Sequence, residues 1–265
     1  MPPYNNLCYN IIMKIALFQY SPEWENRQAS KDKILRIISS DEEKVKGINM
    51  LAFSEMTLSG FTLNKEASSL DEDDHIFFKN IAKKYSFAVA YCGVRDGYNT
   101  LFFIDKEGKQ VSSYRKNHLF SYAGENKAYK AGDKCEPFAL ETQGGNILIS
   151  PAICFDLRFA YLFWENAAAA DMYIVPAAWP QARLEQWKAL LKARAIENQA
   201  FVAGVNRTGE EPGPLRYAGG TMLFDPLGNC IIDADNKEGI FAAEIDPGMP
   251  SEIRKKFQFM PERRK

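Results

Sequence analysis

Residues 146–154 read N-I-L-I-S-P-A-I-C, and residues 155–170 continue as F-D-L-R-F-A-Y-L-F-W-E-N-A-A-A-A. The first segment is a short apolar run typical of a buried strand, and the second has the apolar spacing of a helix. The pair predicts a strand that turns directly into a helix, with Cys154 at the junction. The rest of the chain repeats this alternation, which is typical of an α/β fold.

Further apolar runs and helical spacings extend the pattern in both directions. Strands are predicted at residues 14–20, 49–55, 87–94, 100–105, 110–114, 172–177, 200–206, 222–225, 230–234 and 240–245, and helices at 26–46, 71–86 and 184–199. The first helix is expected to turn Ile34, Leu35, Ile38 and Val45 inward, and the apolar positions of the second helix are Ile76, Phe77 and Ile81.

Two β-rich halves with roughly four helices can cover their sheets only if the sheets also pack on each other. The sequence therefore predicts a four-layer α-β-β-α sandwich, with two central mixed sheets flanked by helices. No linker or repeat interrupts the chain, so residues 1–265 are expected to form a single domain. Residues 1–12 precede the first strand and are interpreted as an N-terminal extension.

Composition excludes several classes of partner. The 33 Lys and Arg residues nearly balance the 34 Asp and Glu residues, so no field attracts nucleic acid or an anionic membrane. The chain lacks a long apolar segment, and its five cysteines include no C-x-x-C pair. These features favour a cytoplasmic protein with a small-molecule partner and without a structural zinc site.

Common catalytic motifs are missing from the sequence. It contains no G-x-G-x-x-G, P-loop, G-x-S-x-G or H-E-x-x-H motif, and it has only two histidines. What remains is a set of ionisable residues at predicted strand ends: Glu55, Lys116 and Cys154. In α/β sheets, catalytic groups gather outside the carboxyl ends of the strands, so these three side chains are expected to converge.

The three residue types suit acyl transfer through a thiol. At the positive end of a helix, Cys154 would be stabilised as a thiolate, and the backbone N–H of Phe155 could bind a developing oxyanion. Glu55 would act as general base for the thiol and later for water, while the Lys116 ammonium would stabilise both thiolate and oxyanion. For each residue a structural role is the alternative: a buried cysteine, a salt-bridged acid or a surface cation.

Three segments carry a family resemblance: A-F-S-E-M-T-L-S-G-F at 52–61, Y-R-K-N-H-L-F at 114–120 and I-C-F-D-L-R-F at 153–159. They resemble the signature blocks of the nitrilase superfamily, the carbon-nitrogen hydrolases with a Glu-Lys-Cys triad. The resemblance implies the α-β-β-α sandwich, a homodimer or higher even homo-oligomer, and a thiol mechanism with no metal or organic cofactor. It also implies a second catalytic glutamate at Glu125, which by itself could equally be an exposed loop acid.

Within the superfamily, residues 118–133, A-A-W-P at 177–180 and K-A-R-A-I-E-N-Q at 192–199 are similar to the omega-amidase-like branch. That similarity implies hydrolysis of the terminal amide of a small carboxylic acid amide such as 2-oxoglutaramate, to acid plus ammonia, through a Cys154 thioester. The alternatives are a hydrolase of nitriles, N-carbamoyl amino acids or modified peptides, and a non-catalytic binding protein on the same fold.

Candidates for the walls of the substrate pocket are Phe61, Trp179 and Arg158. Phe61 and Trp179 lie just beyond strand ends and could instead belong to the core. Arg158 could meet a substrate carboxylate, or it could pair with Asp156 or another acid.

Overall fold

The structure is a computed structural model that describes residues 12–142 and 145–264. The predicted N-terminal extension lies, except for Ile12, outside the described residues. Within the described ranges the strands are β1 (Met13–Gln19), β2 (Met50–Ala52), β3 (Ala88–Arg95), β4 (Tyr98–Ile104), β5 (Gln110–Arg115), β6 (Phe138–Thr142), β7 (Gly145–Pro151), β8 (Met172–Pro176), β9 (Phe201–Val205), β10 (Thr208–Glu210), β11 (Arg216–Ala218), β12 (Met222–Phe224), β13 (Cys230–Asp233) and β14 (Gly239–Ile245).

The α-helices of the same ranges are α1 (Arg27–Ser40), α2 (Glu42–Val45), α3 (Lys65–Ser68), α4 (Glu72–Tyr85), α5 (Glu125–Ala128), α6 (Ala160–Trp164), α7 (Leu184–Asn198) and α8 (Met249–Lys256). Short 3-10 helices cover Ser121–Ala123, Cys154–Arg158, Gln181–Arg183 and Met260–Glu262. No helix in the described part of the chain is long and apolar enough to span a bilayer.

The strands form two six-stranded mixed sheets and one small hairpin. The first sheet has the order β14-β1-β2-β3-β4-β5, the second has the order β13-β12-β9-β8-β7-β6, and β10 pairs with β11. In each large sheet the central strands run parallel, β1 with β2 and β3 in one and β7 with β8 and β9 in the other. The segments that follow the carboxyl ends of two of these parallel strands, β2 and β7, carry the candidate residues Glu55 and Cys154.

Apolar clusters fill the spaces between the layers, and β1 shows how the sequence produces them. Met13, Ile15 and Leu17 face the second sheet, whereas Ala16 and Phe18 face the helices outside the first sheet. Successive side chains of a strand point to opposite faces, so a strand buried on both sides is apolar at nearly every position. A third cluster packs α7 against the outer face of the second sheet. The molecule is therefore the predicted four-layer α-β-β-α sandwich.

The predicted helix at 26–46 is divided at Asp41, which ends α1 and precedes α2. The Asp41 carboxylate accepts the N–H of Ile240 at 3.2 Å and so ties the chain to β14 at this point. The inward assignment of Leu35 was wrong, and the apolar Ile76 of the second helix also faces outward. Leu35 is 41% exposed and Ile76 is 42% exposed, because the buried stripes of α1 and α4 follow other positions at helical spacing.

The helix expected after Cys154 was also wrong. Residues Cys154–Arg158 form a 3-10 turn, Phe159 is extended, and α6 has only five residues. The side chain of Asp156 folds back onto the N–H of Ile153 at 2.9 Å and closes this compact turn. Such a short 3-10 turn supplies little of the dipole that a long α-helix directs at its N-terminus.

Candidate active site

The candidate residues follow the carboxyl ends of three strands. Lys116 comes directly after β5, while Glu55 and Cys154 lie three residues beyond the ends of β2 and β7. Two positions here have left-handed backbone: φ is +44° at Met56 and +48° at Cys154. Non-glycine residues adopt such angles at a cost of about 1–3 kcal/mol each, and they cluster at functional sites.

A buried ion cluster joins three of the predicted residues, Glu55, Lys116 and Glu125. The Lys116 Nζ atom donates to Glu55 Oε1 at 2.8 Å and to Glu125 Oε2 at 2.9 Å, and all three side chains have no exposed surface. Glu125 also accepts the backbone N–H of Phe120 at 2.6 Å. Its alternative interpretation as an exposed loop acid is therefore wrong.

Asn99 and Ala178 complete the environment of the Glu55 carboxylate. The Asn99 Nδ2 atom donates to Glu55 Oε1 at 2.9 Å and to Glu125 Oε1 at 3.0 Å. The backbone N–H of Ala178, beyond the end of β8, donates to Glu55 Oε2 at 3.0 Å. Both carboxylate oxygens are thus fixed in position before any substrate binds.

The pKa values of Lys116 and Cys154 are both raised, but for different reasons. Burial would lower the pKa of Lys116, but the charges of Glu55 and Glu125 outweigh it and hold this pKa well above its usual range. Burial and the neighbouring Glu55 carboxylate raise the pKa of the Cys154 thiol, and Lys116 offsets only part of that rise. A raised pKa favours the protonated thiol of Cys154 over the thiolate that the sequence predicted.

The Asp156 carboxylate connects the cysteine turn to the lysine strand. Its Oδ2 atom accepts the N–H of Ile153 and the hydroxyl of Tyr114, at 2.9 and 2.8 Å. Its Oδ1 atom accepts the backbone N–H of His118 at 2.8 Å and lies 2.7 Å from His118 Nδ1. Asp156 is fully buried, so these contacts fix the backbone on which Cys154 sits relative to Lys116.

A cavity of about 240 Å³ opens onto the thiol and the ammonium. Cys154, Lys116 and the three predicted wall residues line it, together with Phe120, Tyr122, Ala123, Phe155, Ala178, Pro180, Arg183, Leu215 and Tyr217. No acceptor in the described ranges takes the backbone N–H of Phe155, which begins the 3-10 turn. That N–H can therefore serve an oxygen bound in the cavity.

Phe61 and Trp179 form part of the cavity wall. The Lys116 Nζ atom lies 5.6 Å from the centroid of the Phe61 ring. Trp179 also packs on Trp187 of the outer core, with 5.4 Å between ring centroids, so it belongs both to the cavity and to the core. Asn206 fixes the Trp179 backbone, accepting its N–H at 2.8 Å and donating to its carbonyl at 3.0 Å.

Two guanidinium groups line the same cavity. Arg158 lies over the Trp179 ring at 4.9 Å and donates to Gln186 at 2.6 Å, and it does not pair with Asp156. Arg183 lies over the Phe120 ring at 5.4 Å. Burial and the positive charge of Arg183 lower the pKa of Arg158. Neither arginine forms an ion pair among the described residues, so both guanidinium groups are available to an anionic group in the cavity.

Comparison with known proteins identifies the family. The profile described as carbon-nitrogen hydrolase matches residues 14–255. The chain belongs to the carbon-nitrogen hydrolase family. The match confirms the resemblance of the three sequence blocks of this carbon-nitrogen hydrolase to the nitrilase superfamily.

Two relatives and one solved structure show how far the similarity extends. The hydrolase is 34% identical over 233 residues to a 2-oxoglutaramate amidase of Bacillus subtilis, covering 84% of this chain and 88% of the relative. It is 34% identical over 250 residues to the omega-amidase YafV of Escherichia coli K12, covering 92% and 94%. XC1258 of Xanthomonas campestris, a CN-hydrolase superfamily protein with an arsenic adduct in its active site, superposes with a TM-score of 0.85 at 28% identity, covering 96% and 98%.

The polar residues at or beside the site that the sequence interpretation did not assign include Asn99, Asp156, Arg183 and Tyr217. Asn99 gave a weak signal, since it is a polar residue at the start of an otherwise apolar strand. Asp156 was considered only as a partner for Arg158. Arg183 follows Trp179 by four residues in a polar loop, where an arginine is most often solvated.

Proposed function

We propose that this carbon-nitrogen hydrolase cleaves the terminal amide of a small carboxylic acid amide, such as 2-oxoglutaramate, to acid plus ammonia. The reaction proceeds through a thioester on Cys154. The observation that carries the proposal is a small cavity in which a thiol and an ammonium face two arginines without acidic partners among the described residues. The similarity to omega-amidases supports the same chemistry.

In the first half-reaction the Cys154 sulfur attacks the amide carbonyl carbon and its proton passes to Glu55. The carbonyl oxygen becomes an oxyanion, which the Lys116 ammonium and the Phe155 N–H stabilise. Collapse of this intermediate breaks the carbon–nitrogen bond. Glu55 gives its proton to the leaving amine, so ammonia departs and the acyl group remains on sulfur.

In the second half-reaction Glu55 takes a proton from water, and the resulting hydroxide attacks the thioester carbonyl. Collapse of the second intermediate breaks the carbon–sulfur bond, and the proton returns from Glu55 to Cys154. While Glu55 holds a proton, its charge no longer balances Lys116. Glu125, at 2.9 Å from Nζ, then keeps the ammonium paired, so the cation stays in place throughout.

The arginines favour a substrate that carries its own carboxylate. A guanidinium forms charge-assisted and often bidentate hydrogen bonds with a carboxylate. Arg158 and Arg183 lie in a largely aromatic cavity, where an anionic group would neutralise their mutual repulsion. A neutral nitrile offers no such group.

Cavity size favours a short substrate over a peptide. A volume of about 240 Å³ is below the roughly 300–1,000 Å³ of typical drug-sized ligand sites. It suits a short acid amide better than a modified peptide. A binding protein without activity has no need for a buried carboxylate next to a thiol, or for a strained backbone at Cys154.

A substrate comparison tests the proposal. Ammonia release would be measured with 2-oxoglutaramate, with neutral butyramide, with an N-carbamoyl amino acid and with a short aliphatic nitrile. The highest kcat/KM is expected for 2-oxoglutaramate, because it alone offers both a terminal amide and a 2-oxo acid group. Faster turnover of the nitrile or of the carbamoyl compound would refute the proposed substrate class.

Replacing Arg183 with glutamine is expected to lower kcat/KM for 2-oxoglutaramate by about 10- to 100-fold, chiefly through KM. One hydrogen bond to a charged group contributes about 1.5–3 kcal/mol. The same substitution should leave kcat/KM for butyramide within about threefold, since a neutral amide has no carboxylate to lose. Arg36→Gln, which removes an exposed charge from α1, is the control. Equal losses on both substrates would contradict a carboxylate-binding role.

We also propose a cytoplasmic location and an even-numbered homo-oligomer. Balanced charge supports the first. Tyr161 and Trp164 on α6, which are 54% and 44% exposed, support the second, because aromatic side chains are enriched at protein interfaces. Cell fractionation and light scattering test them, and a monomeric mass at micromolar concentration would contradict the assembly.

A further inference from the structure

Asn99 holds the same two carboxylate oxygens as the ammonium of Lys116. Its Nδ2 atom lies 2.9 Å from Glu55 Oε1 and 3.0 Å from Glu125 Oε1. The Lys116 Nζ atom lies 2.8 and 3.1 Å from those oxygens. A neutral donor and a charged donor thus act in parallel on both glutamates.

The surroundings determine the orientation of the Asn99 amide. A reversed amide would place Oδ1 against two carboxylate oxygens, so Nδ2 must face them. The Oδ1 atom is buried and accepts no hydrogen bond within residues 12–142 and 145–264. A buried acceptor without a partner is unfavourable. The side chain therefore gains its hydrogen bonds at the glutamates alone.

The charges around Glu55 leave a role for an uncharged hydrogen-bond donor. Two carboxylates share one ammonium in this buried cluster, and neither forms an ion pair with a second cation among the described residues. Glu55 also interacts electrostatically with Cys154, Cys92 and Glu211, and none of these three groups is positive. Asn99 and Lys116 both donate to the Glu55 carboxylate through side-chain nitrogen atoms.

Hydrogen bonds also distinguish the two oxygens of Glu55. Oε1 already accepts from Asn99 and Lys116, whereas Oε2 accepts the backbone N–H of Ala178. An oxygen with two donors is the poorer base. Oε2 is therefore the oxygen free to take a proton.

We propose that Asn99 is a positioning residue of this site: its amide holds Oε1 of the Glu55 carboxylate in place and directs the thiol proton of Cys154 to Oε2. The inference rests on the proposed function, because it assigns the step that Glu55 performs there. Asn99 acts through Glu55 and touches no reacting atom.

Replacing Asn99 with leucine tests the inference with a side chain of similar size and no donor. The loss of kcat/KM is expected to approach about tenfold on the acid side of the profile, because a one-unit rise in the pKa of the base lowers its deprotonated fraction there by that factor. Without the amide, the Cys154–Glu55 pair binds a second proton more tightly, and that proton blocks the base. The acid limb of the pH profile should therefore move to higher pH, by about one unit, and the loss should shrink as the pH rises.

A second measurement needs no substrate. Alkylation of Cys154 by iodoacetamide, followed by mass spectrometry against pH, reports the protonation of the same pair. Its acid limb should move in the same direction. An alkylation or turnover profile that is merely lower, with its acid limb unmoved, would overturn the inference. Should no amide be turned over by the native enzyme, the proposed function fails while the alkylation profile still tests Asn99.

A control variant and a second Asn99 variant complete the test. Thr100→Val is the matched control, since Thr100 is the next residue of β4 and its hydroxyl donates to the Tyr98 carbonyl, at 3.0 Å, rather than to the glutamates. Its pH profiles should match those of the native enzyme. If the leucine variant does not fold, Asn99→Ser removes the same two hydrogen bonds with a smaller side chain. The serine variant should show the same upward shift, and an unshifted profile would again overturn the inference.

Discussion

Substituting Cys154 with alanine should lower kcat/KM for 2-oxoglutaramate by about 10⁴- to 10⁶-fold, the range seen when an enzyme loses its nucleophile. Without the sulfur no thioester can form, and the remaining ammonium and backbone N–H can only assist attack by water. Alanine keeps the left-handed backbone that Cys154 adopts at φ +48°. The free energy of unfolding should therefore change by less than about 1 kcal/mol.

The measurement is ammonia release, together with intact-protein mass spectrometry on rapidly quenched reactions. Native enzyme should show a fraction heavier by one acyl group, and peptide mapping should place this group on Cys154. Cys230→Ala is the control, because Cys230 is an exposed cysteine of β13. Unchanged ammonia release by the Cys154 variant would end the thiol mechanism, and an acyl group on another residue would reassign the nucleophile.

The layers of the fold could be predicted because their signal is local. Apolar residues on both faces of β1 and at helical spacing in α1 report burial directly. The ends of the helices could not be predicted as well from the sequence. The division at Asp41 depends on a hydrogen bond to Ile240, about two hundred residues away in sequence, and the turn after Cys154 depends on the fold-back of Asp156.

The candidate site likewise contains residues that could be predicted from local sequence and residues that could not. Residue types at strand ends indicated Glu55, Lys116 and Cys154, and the family resemblance added Glu125. The protonation state of Cys154 could not be predicted, because it follows from burial and from a carboxylate contributed by another strand. Asn99 and Arg183 have short-range sequence surroundings like those of ordinary polar residues. Only the assembled sandwich brings one to the ion cluster and the other to the cavity.

Replacing Lys116 with methionine should have the largest combined effect on activity and stability. The carboxylates of Glu55 and Glu125 would remain fully buried without their cation. Removing one partner of a buried ion pair typically costs about 3–5 kcal/mol of stability. Turnover should fall by at least about 10³-fold, since the oxyanion also loses its charged donor. Urea unfolding and ammonia release measure the two effects, and Lys46→Met, at an exposed lysine, is the control.

A triple variant separates the two roles of Lys116. Glu55→Gln and Glu125→Gln, added to Lys116→Met, remove the stranded negative charges while nearly preserving side-chain volume. A neutral replacement of a buried ion cluster is often as stable as the cluster itself, so most of the lost stability should return. Activity should not return, because base, cation and second carboxylate are all gone. If instead the triple variant unfolds as readily as Lys116→Met alone, the lost stability comes from packing around the methionine, and the charge argument for this cluster is wrong.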